Sequence, residues 1–269
     1  MTGIDDVRTE IIEYYSEDYD EDARLREQVH GQLEFVRTQE LLRRHLPAAP
    51  ARVLDVGGGT GAHARWLAAD GYQVHLIDPV ARHCEQAAAV GTFTVAQGDA
   101  RALDAADESY DVVLLLGPLY HLTEREERIR ALAEARRVVR PGGLVAAAAI
   151  SRHAPVFDQS VLGKVTLENE AAFAEELATG RHDPKGGFTT AYFHTVPELE
   201  EEFAESELDV AEIYGIEGPA WPTLLHLGKA GLPVSAQLFD SALRAARLVE
   251  RDRAVIASSA HLLALAVRG

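Results

Sequence analysis

The most chemically pointed stretch of the chain is a run of glycines between an apolar segment and a helical one, Val53-Leu54-Asp55-Val56-Gly57-Gly58-Gly59-Thr60-Gly61. Glycine is wanted where backbone must approach a ligand closely or take a positive φ, and this run ends a predicted strand and opens a helix. Gly57, Gly59 and Ala62 also satisfy the looser Gly-x-Gly-x-x-Gly/Ala spacing of dinucleotide sites, so the turn alone leaves its ligand open. Asp78 ends the next apolar run, where a carboxylate can accept both hydroxyls of a ribose, and Asp99 follows Gly98 at the end of the third. Each acid alone also has a plainer reading as a helix cap or a solvated loop residue, the less favoured of the two. A fourth run ends in Leu116-Gly117-Pro118-Leu119-Tyr120-His121. An imidazole titrates near neutral pH, so His121 is a candidate general base, with an anchor for the following helix as the alternative. Tyr120 lines a pocket there or packs as a buried aromatic.

These residues need a scaffold that sets them side by side, and the apolar rhythm supplies one. Residues 28–46 repeat Val29, Leu33, Val36 and Leu41 at helical spacing, and the Pro47 to Pro50 stretch then breaks the pattern. From Arg52 to Ile150 short apolar runs (53–56, 73–77, 93–96, 111–116, 144–150) alternate with helical stretches (62–69, 80–90, 124–139). Gly71, Gly91 and Pro141-Gly142-Gly143 mark the junctions. Strand, helix, strand at this rhythm predicts a parallel sheet with helices on both faces. Beyond Ile150 the reading is short helices and loops, a helix at 197–204, a strand at 208–214, a helix at 236–250 and a final strand at 262–267. The two late strands complete the sheet, and the excursions before them fold over one edge as a cap.

At this point the chain resembles the class I S-adenosylmethionine-dependent methyltransferases over residues 51–150. The resemblance rests on Asp-x-Gly-x-Gly-x-Gly at Asp55 to Gly61, the strand-end acid Asp78, the pair Gly98-Asp99, and Arg140-Pro141-Gly142-Gly143, in that order. It implies a doubly wound, seven-stranded, mostly parallel α/β sheet whose last strand is antiparallel, a Rossmann-like fold with an N-terminal helical lid and a helical cap insertion. The corresponding division is 1–46 for the lid, 47–150 for the core that holds S-adenosylmethionine, and 151–269 for the cap and the strands completing the sheet. It implies that Gly57, Gly59 and Gly61 let the backbone close on the methionine part of the cofactor and that Asp55 orders the loop or receives the ammonium group. Asp78 is then the ribose acid and Asp99 the adenine partner, with Pro79, Ala100, Leu116 and Gly117 beside them. The 117–120 segment is similar to the Asn/Asp-Pro-Pro-Tyr tetrapeptide of amino-methyltransferases at Pro118 and Tyr120 only. Gly117 and Leu119 depart from it, which lowers the expectation of a nucleobase or glutamine substrate.

Other residues enter with two readings each. Tyr15 and Tyr19, in an acidic N-terminal stretch, suit a lid over a sulfonium or an ordinary solvated helix. His30, Glu34, Arg37 and Leu41 share one helix face; Arg37 is placed to reach the cofactor carboxylate or to pair with Glu34. In the cap, His194 and Trp221 are the substrate-lining candidates, against core positions as the plainer reading. The acids between Glu198 and Glu207 read as a solvated face. Cys84, the single cysteine, reads as a small buried residue. No metal is expected, because the histidines lack short ligand spacing.

The net charge is −17, of which only −3 falls between residues 46 and 150. So acidic a body argues against a nucleic-acid partner, which needs a basic stripe, and favours a small-molecule acceptor that is neutral or cationic. No apolar run approaches the roughly 20 residues of a membrane span, and the amino terminus lacks the marks of a signal peptide, so a cytoplasmic monomer or homodimer is expected. The competing readings are a methyltransferase of a macromolecule, a non-catalytic module that binds a cofactor or nucleotide and acts through a partner, and a dehydrogenase.

Overall fold

The computed structural model describes residues 9–10, 21–183 and 188–269. Its frame is a seven-stranded sheet in the order β3-β2-β1-β4-β5-β9-β8. The strands are β1 Arg52–Val56, β2 Gln73–Asp78, β3 Thr94–Gln97, β4 Tyr110–Leu115, β5 Val139–Ile150, β8 Val210–Gly215 and β9 His261–Val267. All neighbours among β1 to β5 pair in parallel, while β9 runs antiparallel between β5 and β8. The strand order reverses at β1, so the ends of β1 and β4 diverge and leave a crevice at the carboxyl edge of the sheet.

Alternation along the strands explains the two layers of core. In β9, Leu262, Ala264 and Ala266 face one apolar cluster and Leu263 and Leu265 face the other, as the period of two requires. Helices α1 Glu21–Glu27, α2 Val29–His45, α3 Ala62–Ala69 and α4 Ala81–Ala88 precede or separate the first strands, and α5 Pro118–His121 and α6 Arg125–Val138 follow β4. Leu41 and Leu42 of α2 and Trp66 and Leu67 of α3 cover one face; Ala131, Leu132, Ala135 and Val138 of α6 cover the other. Truncating a fully buried leucine here, such as Leu114, costs about 2–5 kcal/mol.

After β5 come α7 Ala154–Ser160, α8 Glu170–Thr179, a two-stranded hairpin (β6 Arg181–His182, β7 Ala191–Tyr192), α9 Val196–Glu205, α10 Trp221–Lys229 and α11 Ala236–Val249. Neither the hairpin nor α10 stands out in the sequence pattern, the first because its strands are two residues each, the second because it opens on Trp221-Pro222. β5 also begins earlier than the apolar run at Leu144: Val139 already pairs with Tyr110, and Pro141 to Gly143 form an irregularity inside the strand. Helix α9 begins with a capping box, Thr195 Oγ1 accepting the Glu198 N–H at 3.3 Å while Glu198 accepts the Thr195 N–H at 2.9 Å. Such a cap is worth about 1 kcal/mol.

Its acidic run is not all solvated. Glu202 is 1% exposed because Arg128 of α6, equally buried, donates to both of its oxygens at 3.0 Å and lies 3.6 Å over the Tyr192 ring. Cys84 is half-buried rather than buried, its thiol 3.4 Å from the Asp78 carbonyl oxygen. Among the described residues no helix is long and apolar enough to cross a membrane.

Candidate active site

The carboxyl ends of β1, β2 and β3 bring the glycine run and the two strand-end acids to one cavity of about 200 Å3. Gly57 takes φ +69°, and a Cβ there would stand 2.8 Å from the Pro118 ring of the β4 loop. Gly59 takes φ +56°, and a Cβ there would meet nothing within 4 Å, so the turn leaves open space beside its backbone. Asp78, 4% exposed, accepts the Gly59 N–H on Oδ2 at 2.9 Å; its Oδ1 accepts the Val80 N–H at 2.9 Å and faces His83 Nδ1 at 3.1 Å. Asp99 is held on both oxygens by Arg101, at 2.9 Å and 2.7 Å, and Arg101 also pairs with Glu127. Those contacts raise the Arg101 guanidinium further above its ordinary range, its hydrogen bonds to Asp99 leading.

Asp55 lies under the turn, 1% exposed, and its Oδ2 meets no hydrogen-bond partner. Burial, with the Asp78 carboxylate adding to it, pushes Asp55 up to about 7. An unsatisfied carboxylate oxygen against an open backbone cradle fits a ligand that carries a cation. S-adenosylmethionine, with its sulfonium and ammonium groups, meets that description, and the residues present fit it.

The other end of the cavity is built by α5 and by the helices before β1. Tyr120 and His121 line it with their rings 4.6 Å apart, and Phe188 packs behind them at 6.5 and 6.0 Å. His121 is half-buried: burial holds its imidazole down at about 3, against the opposing Asp78 carboxylate. His63 lines the cavity from α3 and burial lowers it to about 4. Leu25 of α1 and Glu34 of α2 also line the cavity. Arg24 donates to both Glu34 oxygens, at 2.6 and 3.0 Å. Burial resists ionisation of Glu34, but Arg24 and His261 together bring it down to about 2. His261, at the start of β9, has Nδ1 2.5 Å from Glu217 and 3.9 Å from Glu34; burial lowers it, yet the two carboxylates win and hold it at about 9.

Gly57, Gly59, Asp55, Asp78, Pro79, Asp99, Ala100, Leu116, Gly117, Tyr120 and His121 therefore share one cavity, and Gly61 caps α3 beside it. Several sequence candidates fall elsewhere. Arg37 is fully buried and does not line the cavity; it donates to the Ile216 carbonyl, Glu40 and Glu250 rather than to Glu34. His194 is buried against Glu202 at 3.1 Å, and Trp221 donates to the Ser258 carbonyl at 2.9 Å while packing on Ala154 and Leu225. Among the described residues none beyond Glu127 lines this cavity, so His194 and Trp221 lie outside it. Tyr15 and Tyr19 lie outside the described residues. Glu34, His63, Leu25 and Arg101 were not anticipated as cavity residues. Only the spacing of His30 and Glu34 on one helix face hinted at any of them, and spacing does not say which face meets the site.

The sequence profile of a family described as a methyltransferase domain matches residues 53–143. An uncharacterized methyltransferase of Mycobacterium tuberculosis is 38% identical over 99 residues, which span 36% of this chain and 39% of that protein. A ubiquinone biosynthesis O-methyltransferase of Cereibacter sphaeroides is 29% identical over 178 residues, 64% of this chain and 65% of that one. The crystal structure of an S-adenosylmethionine-dependent methyltransferase from Methanosarcina mazei superposes with a TM-score of 0.57 at 17% identity, covering 85% of this chain and 96% of that chain.

Proposed function

We propose that this chain, a member through residues 53–143 of the class I S-adenosylmethionine-dependent methyltransferases, transfers a methyl group from S-adenosylmethionine to a small-molecule acceptor. The observation that carries the reading is the single cavity that joins the β1 glycine turn, Asp78 and Asp99 to the ring-lined end at Tyr120 and His121. On this reading residues 1–46 act as a lid, 47–150 as the cofactor core, and 151–269 as a cap region that completes the sheet.

When bound, the cofactor supplies a methyl group already activated on a sulfonium, so the protein has mainly to align and desolvate the acceptor. The open backbone at Gly57 and Gly59 takes the methionine end, Asp55 Oδ2 accepts its ammonium, and Asp78 accepts the ribose hydroxyls on lone pairs left beside the Gly59 and Val80 bonds. Asp99, steadied by Arg101, faces the adenine with Ala100 beside it; Pro79, Leu116 and Gly117 complete the wall. Tyr120 and His121 shape the acceptor end and exclude water. An imidazole held at about 3 is too weak a base to take a proton from a hydroxyl, which favours the positioning role for His121. Relatives named as C- and O-methyltransferases of ubiquinone or menaquinone biosynthesis support the small-acceptor reading without choosing the atom.

The test is mass spectrometry of a metabolite extract incubated with the chain and methyl-deuterated cofactor. A labelled small molecule is the expected result; label in RNA or protein alone would support a macromolecular substrate, and no label at all would favour a binding module.

A further inference from the structure

We propose that the first turn of α3 is the subsite for the carboxylate of the cofactor's amino-acid end, with the His63 imidazole as its side-chain donor. The inference rests on the cofactor reading above, which gives that end an ammonium partner in Asp55 and leaves its carboxylate without one, since Arg37 does not line the cavity.

Helix α3 opens on Gly61, at φ +87°, with no side-chain cap and no acidic residue in its first turn. The Arg65 N–H closes the first helical bond onto the Gly61 carbonyl, while among the described residues the N–H groups of Ala62, His63 and Ala64 meet no acceptor. Gly59, Thr60, Ala62 and His63 line the cavity, so this uncapped end is part of its wall. Unsatisfied N–H groups and the positive end of the helix dipole favour a negative group. Asp55 makes the opposite demand on the same cavity. It is 1% exposed, and its unpartnered Oδ2 lies against the turn, 2.7 Å from where a Cβ on Gly58 would stand. A glycine turn with a carboxylate beneath it and an open helix end beyond it complements an α-amino acid zwitterion.

The state of His63 follows from its neighbour on the helix. Trp66 Nε1, an indole nitrogen that can only donate, lies 3.1 Å from His63 Nδ1. Nδ1 is therefore the acceptor, and the ring is the neutral tautomer with its proton on Nε2. Trp66 does not line the cavity whereas His63 does, so the ring edge that carries the Nε2 proton is the one turned to a ligand. Burial, which lowers the imidazole to about 4, keeps it in that form. The ionic side chains that line the cavity nearby are already matched: Glu34 is held on both oxygens by Arg24, and Arg101 is taken by Asp99 and Glu127. The α3 turn is where a carboxylate finds donors.

Calorimetry on the full chain compares S-adenosylhomocysteine with its decarboxylated analogue, which keeps the ammonium, and with 5′-methylthioadenosine, which has neither charge. His63→Asn puts an amide oxygen where Nδ1 accepts the Trp66 N–H and removes the donor at Nε2; His63→Gln restores an N–H at the Nε2 end. The wild-type chain is expected to bind S-adenosylhomocysteine roughly tenfold or more tightly than the decarboxylated analogue. That margin shrinks severalfold in His63→Asn, through S-adenosylhomocysteine alone, and returns in His63→Gln. A wild-type chain that binds the two ligands equally overturns the inference, as does a His63→Asn variant that weakens all three ligands alike or none of them. Wild-type failure to bind both S-adenosylhomocysteine and 5′-methylthioadenosine would instead bring down the cofactor reading. Should His63→Asn not fold, the wild-type ligand series and His63→Gln decide on the same margin.

Discussion

Asp78 fastens the glycine turn it faces: its Oδ2 accepts the Gly59 N–H at 2.9 Å, so the acid that ends β2 also fixes the backbone that ends β1. Replacing Asp78 with Ala removes a ligand acceptor and frees the turn together. The expected loss of S-adenosylmethionine binding is about 1–3 kcal/mol for each hydrogen bond to a charged group, measured by calorimetry; unchanged affinity would remove Asp78 from the site.

Asp55 gives a pH signature. In the folded chain it titrates at about 7 against an ordinary 3.8, so between those values the folded state holds a proton that the unfolded state has released. Stability of the ligand-free protein therefore declines as pH rises through that window, and Asp55→Asn flattens the decline in urea unfolding. An ammonium bound at Asp55 favours its ionised form, so cofactor affinity falls as pH drops below about 7, with proton release visible in buffers of different ionisation enthalpy.

His261 works in the opposite sense. Its folded value of about 9 lies above the ordinary 6.5, so its contribution is fully present below 6.5 and is lost as pH rises through about 9. Thermal unfolding followed from about pH 6 to pH 10 should show that loss, and His261→Gln should lack it. The same variant removes the imidazole that lies 3.9 Å from Glu34.

His121 should leave no acid limb near neutrality. With the imidazole at about 3, kcat stays level for this group from mildly acidic to mildly basic pH. His121→Gln lowers kcat through misplacement of the acceptor while keeping that level profile; a limb near 6.5 that vanishes in the variant would restore the general-base role.

The Arg128–Glu202 pair should be costly to halve. Both side chains are 1% exposed, and Glu202→Gln leaves a buried guanidinium with its charge uncompensated, a loss of about 3–5 kcal/mol in urea unfolding.

The core was legible because its signals are local. Glycines, strand-end acids and a period of two report the backbone within a few residues, so helix α3 lies at Ala62–Ala69 as the spacing predicts and Asp78 ends β2. The segments before β1 and after β5 were less legible, because their contacts join residues far apart in the chain. Arg37 meets Glu250 across 213 positions, and Glu202 meets Arg128 across 74, so neither the Glu34 partner for the first nor solvent for the second survives folding. Glu34 is the instructive case: its helix spacing was visible, but its place in the cavity depends on Arg24 and His261, which only the tertiary fold delivers.

The cavity at Asp55, Gly57 to Gly59 and Asp78 is the proposed S-adenosylmethionine site. Calorimetric titration of the full chain with S-adenosylmethionine and S-adenosylhomocysteine tests it most directly. Saturable binding of both, weakened in Asp78→Ala, is expected; absence of binding heat for either ligand across temperatures rules the site out.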